Sequence, residues 1–166
     1  MKKVYYSQEF VEGAVLDLAR QIVQSGFTPD YIVGLTRGGL VPAVLLSHFL
    51  NVRLETLKVS FGYDEVCESN CWMAEDAYAG KNILIVDDIN DSGATLNWVQ
   101  KDWMSLCLPD DQKWLSVWGN NVKRAVITNN VSSISDVEYY VEEVNKAENN
   151  VWIVYPWESF WINRAN

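Results

Sequence analysis

Ile83-Leu84-Ile85-Val86-Asp87-Asp88-Ile89-Asn90-Asp91-Ser92-Gly93-Ala94-Thr95 is the stretch from which the rest of the chain can be read. Four apolar residues in a row, three of them β-branched, predict a strand buried on both faces, as in a parallel sheet. Two adjacent carboxylates stand where that strand ends. A loop of hydroxyl and small residues follows, and a helical pattern begins near Thr95 with Leu96, Val99 and Trp103. Strand, acidic tip, small-residue loop and helix together predict a ligand site at the carboxyl end of a sheet.

The parts of that loop imply their own chemistry. Neighbouring residues at a strand end point to opposite sides, so Asp87 and Asp88 are free to do different work. Carboxylates suit sugar hydroxyls, and they suit Mg²⁺ shared with substrate phosphates. Ser92, Gly93, Ala94 and Thr95 offer backbone N–H groups and hydroxyls at a helix start, an anion site. A ligand with both a hydroxylated sugar and a phosphate satisfies all of it. The plain alternative is a buried strand ending in a solvated acidic turn.

A second strand–turn–helix unit lies upstream. Tyr31 to Leu35 predicts a strand, Thr36-Arg37-Gly38-Gly39 a turn, and Leu40 to Leu50 a helix with Pro42 in its first turn. Arg37, beside the backbone of Gly38 and Gly39, reads either as a diphosphate ligand or as a solvated Arg on a tight turn. Ser7 to Ser25 predicts an amphipathic helix with Val11, Val15, Leu18, Ile22 and Val23 on or near one face. Val52 to Val59 alternates as a strand, with Lys58 read as solvent-facing or structural, and His48 is read as a surface or packing residue. Phe61 to Ala79 shows no clear period and is acidic, which predicts a long functional loop.

Downstream, Trp114 and Trp118 are read as packing or oligomer contacts. Lys123 to Thr128 predicts a strand, Asn129 to Asp136 a polar loop, and Tyr139 to Val141 a further short strand. The terminal run Val151 to Glu158 is apolar and aromatic. It reads either as a docked edge or as a base site, with Trp152 as a flat wall and the backbone of Ile153 reading a base edge.

The chain has 166 residues, 49% of them hydrophobic, enough for one domain with a sizeable core. Its net charge of −9 and lack of a basic run argue against nucleic acid as the main partner. No apolar run spans a bilayer and no signal peptide opens the sequence, so a cytoplasmic protein is expected. Cys67, Cys71 and Cys107 are read as reduced thiols, without the further ligands that zinc needs.

The central stretch resembles the motif by which type I phosphoribosyltransferases bind phosphoribosyl pyrophosphate (PRPP). Gly34 to Pro42, with its Arg-Gly-Gly-Leu-Val-Pro string, is similar to the pyrophosphate loop of the 6-oxopurine branch. Trp152-Ile153, followed by Pro156-Trp157-Glu158, is similar to the base-recognition end of the bacterial xanthine-guanine enzymes.

The resemblance implies an α/β fold over residues 1–166, with a central parallel sheet and helices on both faces. A small hood would come from about 60–79 and 145–166. It implies a Mg²⁺-dependent purine phosphoribosyltransferase acting on PRPP and hypoxanthine, guanine or xanthine. By that likeness Arg37 and Gly38 contact the diphosphate. Asp87 and Asp88 hold the ribose, with Asp88 on the metal, and Ser92 to Thr95 bind the 5′-phosphate. Asp91 faces purine N7 and joins Asp87 and Asp88 as catalytic. Trp152 and Ile153 bind the base.

Two departures stand out. The segment 61–79, where the family has a flexible loop with basic residues, contains no Lys or Arg. By that likeness the place of the Lys that donates to the purine 6-oxo group falls on Asn130, or on Asn129, and such an amide at the base can donate or accept. They leave open a PRPP-binding regulator without turnover, or transfer to another base. A homo-oligomer, dimer or tetramer, is expected from the exposed aromatics.

Overall fold

The computed structural model describes residues 1–61 and 66–162. Its centre is a six-stranded sheet of order β4-β3-β2-β5-β6-β7. The strands are β2 (Tyr31–Thr36), β3 (Arg53–Ser60), β4 (Val66–Cys67), β5 (Ile83–Asn90), β6 (Val122–Asn130) and β7 (Glu142–Val144). Every pairing is parallel except that of β4 with β3. A separate parallel pair, β1 (Lys2–Tyr5) with β8 (Val151–Val154), forms the hood.

Strands buried on both faces divide their side chains by period two. Ile32, Leu84, Val86, Ala125 and Ile127 face the core under α1 (Gln8–Gln24) and α2 (Leu40–Leu50). Tyr31, Val33, Leu35, Ile83 and Ile85 face the core under α3 (Cys71–Tyr78) and α4 (Ala94–Leu106). β5 therefore contributes to both cores, and the expected parallel sheet with helices on both faces is the architecture found. Ser7 caps α1, its hydroxyl accepting from Phe10 N at 3.0 Å. Val23 departs from the predicted apolar stripe and is exposed.

The sequence reading errs most between residues 61 and 79. Residues 62–65 lie outside the described part, but the remainder is not a structureless loop. Val66–Cys67 extends the sheet and α3 packs on it, burying Met73, Ala74 and Ala77. Asn70 caps α3, accepting from Met73 N at 3.0 Å. Much of the acidity there has structural partners. Asp76 accepts from the Tyr31 hydroxyl at 3.0 Å and pairs with Lys81, and Glu68 accepts from Lys58 N.

Other boundaries shift by a few residues. β6 runs on through Asn129 and Asn130, and Tyr139 makes only an isolated bridge to Ala125 before β7 begins at Glu142. Trp114 is a packing residue, buried with its indole N–H donating to the Cys107 carbonyl at 2.8 Å. His48 and Lys58 are exposed.

Tyr155 ties the hood to the sheet. Its ring meets Tyr6 edge-on and stacks on Trp157 at 4.9 Å. Its hydroxyl donates to the Asp88 carbonyl at 3.0 Å and lies 2.9 Å from Thr128 Oγ1. Burial raises its pKa above the usual phenol value, so it serves as a neutral donor. A lost hydrogen bond that leaves a buried carbonyl unpaired costs about 1–3 kcal/mol. Tyr155→Phe should therefore lower the urea midpoint by that much stability, with the far-ultraviolet spectrum unchanged. An unaltered midpoint would mean that the hydroxyl does not secure the hood.

Candidate active site

The sheet changes direction between β2 and β5, because the chain proceeds outward from β2 to β3 and then returns to the other side of β2. Crevices at such a switch point, beyond the carboxyl ends of the strands, are where open α/β sheets bind ligands. Three clefts lie there. The largest, about 520 Å³, is lined by Arg37, Gly38, Ser60, Asp87, Asp88, Glu158 and neighbours. A second, about 170 Å³, follows the loop from Asp87 to Leu96. The third, about 100 Å³, lies between Asp88, Ile89, Asp91, Lys146, Trp152, Ile153, Tyr155 and Glu158. Asp88 lines all three.

The first cleft brings the end of β2 against the end of β5. Thr36 and Arg37 are joined by a cis peptide, and the turn closes with Gly39 N donating to the Leu35 carbonyl at 2.8 Å. A Cβ at Gly38 would lie 2.6 Å from Asp88 Cγ, so only glycine lets this backbone lie against the carboxylate. Arg37 is exposed and faces the same cleft.

Two like charges share the end of β5. Burial, and then the charge of Asp88, raise the pKa of Asp87 well above the ordinary carboxylate value. Burial pushes Asp88 up to about 6, with the charge of Glu158 adding to the rise. Backbone N–H groups offset part of this. Asp88 N donates to Asp87 Oδ1 at 2.9 Å, and Ile89 N donates to Asp88 Oδ1 at 2.8 Å.

The second cleft is a cradle of backbone. Gly93 takes φ +88° at the N-terminus of α4 and has no side chain to cap the helix, while Ala94 N donates to the Ser92 hydroxyl at 3.2 Å. The remaining first-turn N–H groups suit an anion. A Cβ on Gly93 would also meet Ser135 N at 2.7 Å. The polar loop after β6 braces this cradle from behind. Ile134 N donates to the Ser92 carbonyl at 3.0 Å, and the Ser135 hydroxyl donates to the Gly93 carbonyl at 2.9 Å. Buried Asn90 donates to the Ser135 carbonyl at 2.8 Å and accepts from the Ser133 hydroxyl at 2.8 Å.

The third cleft holds Asp91, half-exposed Trp152 and buried Ile153, as the sequence suggests. Asn130 is not beside them as a lining residue. It is buried, its amide N–H donates to the Asp91 carbonyl at 3.0 Å, and its amide oxygen accepts from Lys146 N at 3.0 Å. In this arrangement Asn130 braces Asp91 and Lys146. The cation that does line this cleft is Lys146, which the sequence reading missed. It sits in a polar turn with no periodic signal, 55 residues from its partner Asp91.

Residues 3–159 match the family model described as the phosphoribosyl transferase domain. The chain belongs to the phosphoribosyltransferase family. It is 33% identical over 132 residues to xanthine-guanine phosphoribosyltransferase of Cereibacter sphaeroides, covering 76% of this chain and 68% of that one. It is 25% identical over 188 residues to hypoxanthine-guanine phosphoribosyltransferase of Schizosaccharomyces pombe, covering 95% and 89%. The fold superposes on the crystal structure of a purine phosphoribosyltransferase from Pyrococcus horikoshii with a TM-score of 0.69, at 30% identity and 95% coverage of each chain. The phosphoribosyltransferase is thus of the type I fold.

The raised pKa values have a consequence for stability. A carboxyl that titrates at about 6 when folded and near the ordinary 3.8 when unfolded binds its proton more tightly in the fold. Stability is then unaffected below the lower value, falls as pH rises between the two, and stays lowered above about 6. Asp88→Asn keeps the shape and removes that cost. We expect it to be more stable than wild type by about 1–3 kcal/mol at pH 8, with the gap closing towards pH 4. Equal or lower stability at pH 8 in denaturant titrations would show that the buried charge carries no such cost.

Proposed function

We propose that this phosphoribosyltransferase moves the phosphoribosyl group from PRPP to a free purine, hypoxanthine, guanine or xanthine, in purine salvage. The observation that carries the reading is the meeting of the three clefts at Asp88. PRPP plus a base has three parts joined at one ribose, namely a diphosphate, a 5′-phosphate and a purine. An arginine-lined cleft, a backbone N–H cradle and a tryptophan-walled cleft around one carboxylate suit those parts. The purine-specific names of the relatives agree with it.

Each residue then has a task. Arg37 and the Gly38 backbone bind the diphosphate as it leaves. Asp87 and Asp88 accept from the ribose hydroxyls and hold the ring still as positive charge develops on it. The N–H groups and hydroxyls of Ser92, Gly93, Ala94 and Thr95 fix the 5′-phosphate. Trp152 stacks on the base, and the backbone of Ile153 reads its edge. The bond from ribose C1 to the diphosphate oxygen breaks with its electron pair on oxygen. Purine N9 forms the new bond to C1, and the proton on N7 passes to Asp91.

Mg²⁺ fits this donor set. Among the described residues no cluster of three or more acidic, His or Cys side chains suits a metal. Mg²⁺ is commonly held by one or two carboxylates, with substrate oxygens and water completing its shell. Asp88 would hold it, and its charge would stabilise the leaving diphosphate.

No described helix is long and apolar enough to cross a membrane. The unpaired cysteines support a reducing, cytoplasmic setting. For a homo-oligomer, the supporting feature is an apolar cleft between α1 and α2, lined by Val15, Leu16, Leu45 and Phe49.

Pyrophosphate release from PRPP and Mg²⁺ tests the reading, with each purine supplied in turn. Release with hypoxanthine, guanine or xanthine is expected, and Asp91→Asn should cut kcat by about 10²-fold or more while leaving the KM for PRPP nearly unchanged. PRPP binding without release on any base would favour a regulator. Unchanged kcat in Asp91→Asn would remove the proton role.

A further inference from the structure

The cleft of about 520 Å³ that holds Arg37 has one wall the strands of the sheet do not supply. The turn after β2 and the ends of β3 and β5 form most of it. The remaining wall is Trp157, Glu158 and Trp161, from the segment that follows β8. None of the described residues from Val66 to Ala79 lines it. The region in which the sequence suggests a covering loop thus leaves this side to the C-terminal segment.

That segment is ordered before it reaches the cleft. Trp157 stacks on Tyr155 at 4.9 Å, with the rings 4° from parallel. Tyr155 N donates to the Glu158 carboxylate at 2.8 Å, and Glu158 N donates to the Tyr155 carbonyl at 3.0 Å. Ile162 N donates to the Ser159 carbonyl at 3.0 Å, closing a second turn around Phe160 and Trp161. Those two rings meet edge-on at 5.3 Å. Trp161 is nonetheless 57% exposed, a large apolar surface left in water beside a cleft of charged groups. It also stands outside residues 3–159, the part that matches the family model.

An indole carries no charge, so Trp161 does not replace a Lys or Arg as a phosphate ligand. It supplies bulk that excludes water. PRPP carries a good leaving group on ribose C1, and water competes with the purine for that carbon. Closing a site against water prevents such side reactions and strengthens the electrostatic contacts inside. An apolar wall suits that task in a cleft otherwise lined by Arg37 and two carboxylates.

We propose that Trp161 walls the diphosphate cleft against water, so that PRPP bound there is kept from hydrolysis until a purine arrives. The inference rests on the reading of this cleft as the diphosphate site.

Pyrophosphate release from PRPP and Mg²⁺ by the full chain without any purine tests it, together with the Kd for PRPP by calorimetry. In that hydrolysis a water oxygen bonds to C1, the bond from C1 to the diphosphate breaks with its electron pair on oxygen, and the water proton passes to solvent. Trp161→Ala should raise the base-free rate about fivefold or more and weaken PRPP binding, with the KM for hypoxanthine nearly unchanged. Trp161→Phe should restore most of both. A base-free rate that does not rise in Trp161→Ala overturns the proposal, whatever the affinity. An equal rise in the KM for hypoxanthine would mark Trp161 as a general support of the hood, and a lower mass in light scattering with unchanged PRPP kinetics would mark a face that docks a second copy; each also overturns it. The two base-free readouts need no transfer, so wild type that binds PRPP and transfers to no purine overturns the transfer reading alone. Wild type that does not bind PRPP overturns both.

Discussion

Two adjacent carboxyl groups are held at the end of one buried strand, where burial and the charge of neighbouring carboxylates oppose their ionisation. Every other element of the site is arranged around that pair. β5 supplies both carboxylates and is fixed from either side, Leu84 and Val86 in one core and Ile83 and Ile85 in the other. Its neighbours bring their own ends to the same level. β2 delivers Arg37, β6 delivers Asn130, and the hood is anchored through Tyr155 to the Asp88 carbonyl itself. A fold that only had to be stable would place neutral residues at positions 87 and 88. The carboxylates lower stability in the ligand-free protein and make the pocket a place for cations and hydroxyls.

The net charge of −9 looks unsuited to a substrate rich in phosphate. Local placement resolves this. The groups proposed to meet the phosphates are the exposed Arg37 and backbone N–H groups at the start of α4, and the largely buried Lys146 is paired with Asp91 beside them. None of these is visible in a sum over the chain, and the backbone donors carry no formal charge at all. The acidity of the α3 region belongs in part to folding, through the partners of Glu68 and Asp76.

How much of this the sequence discloses depends on the range of the interactions. β5, the cradle after it and the Arg37 turn are local, each a run of consecutive residues whose types state their chemistry, and they are found where the residues indicate. The hood strand β1 is four residues that are mostly exposed, with no alternation, and its partner β8 lies at the other end of the chain. α3 is eight residues long, and its alanines give a weak apolar stripe. Lys146 sits in a turn among Asn and Glu residues that any reading takes as solvated. Only the fold, through Asn130, carries it to Asp91. Local chemistry was legible in the chain, and the coupling between distant segments that brings Lys146 to Asp91 was not.

Calorimetric titration of PRPP into the protein, with Mg²⁺ and again with the metal chelated, tests the central claim most directly. If the buried carboxylates grip the ribose through a shared divalent ion, binding should be saturable with Mg²⁺ and at least tenfold weaker without it. Equal affinity under both conditions, or no heat of binding in either, would contradict the account.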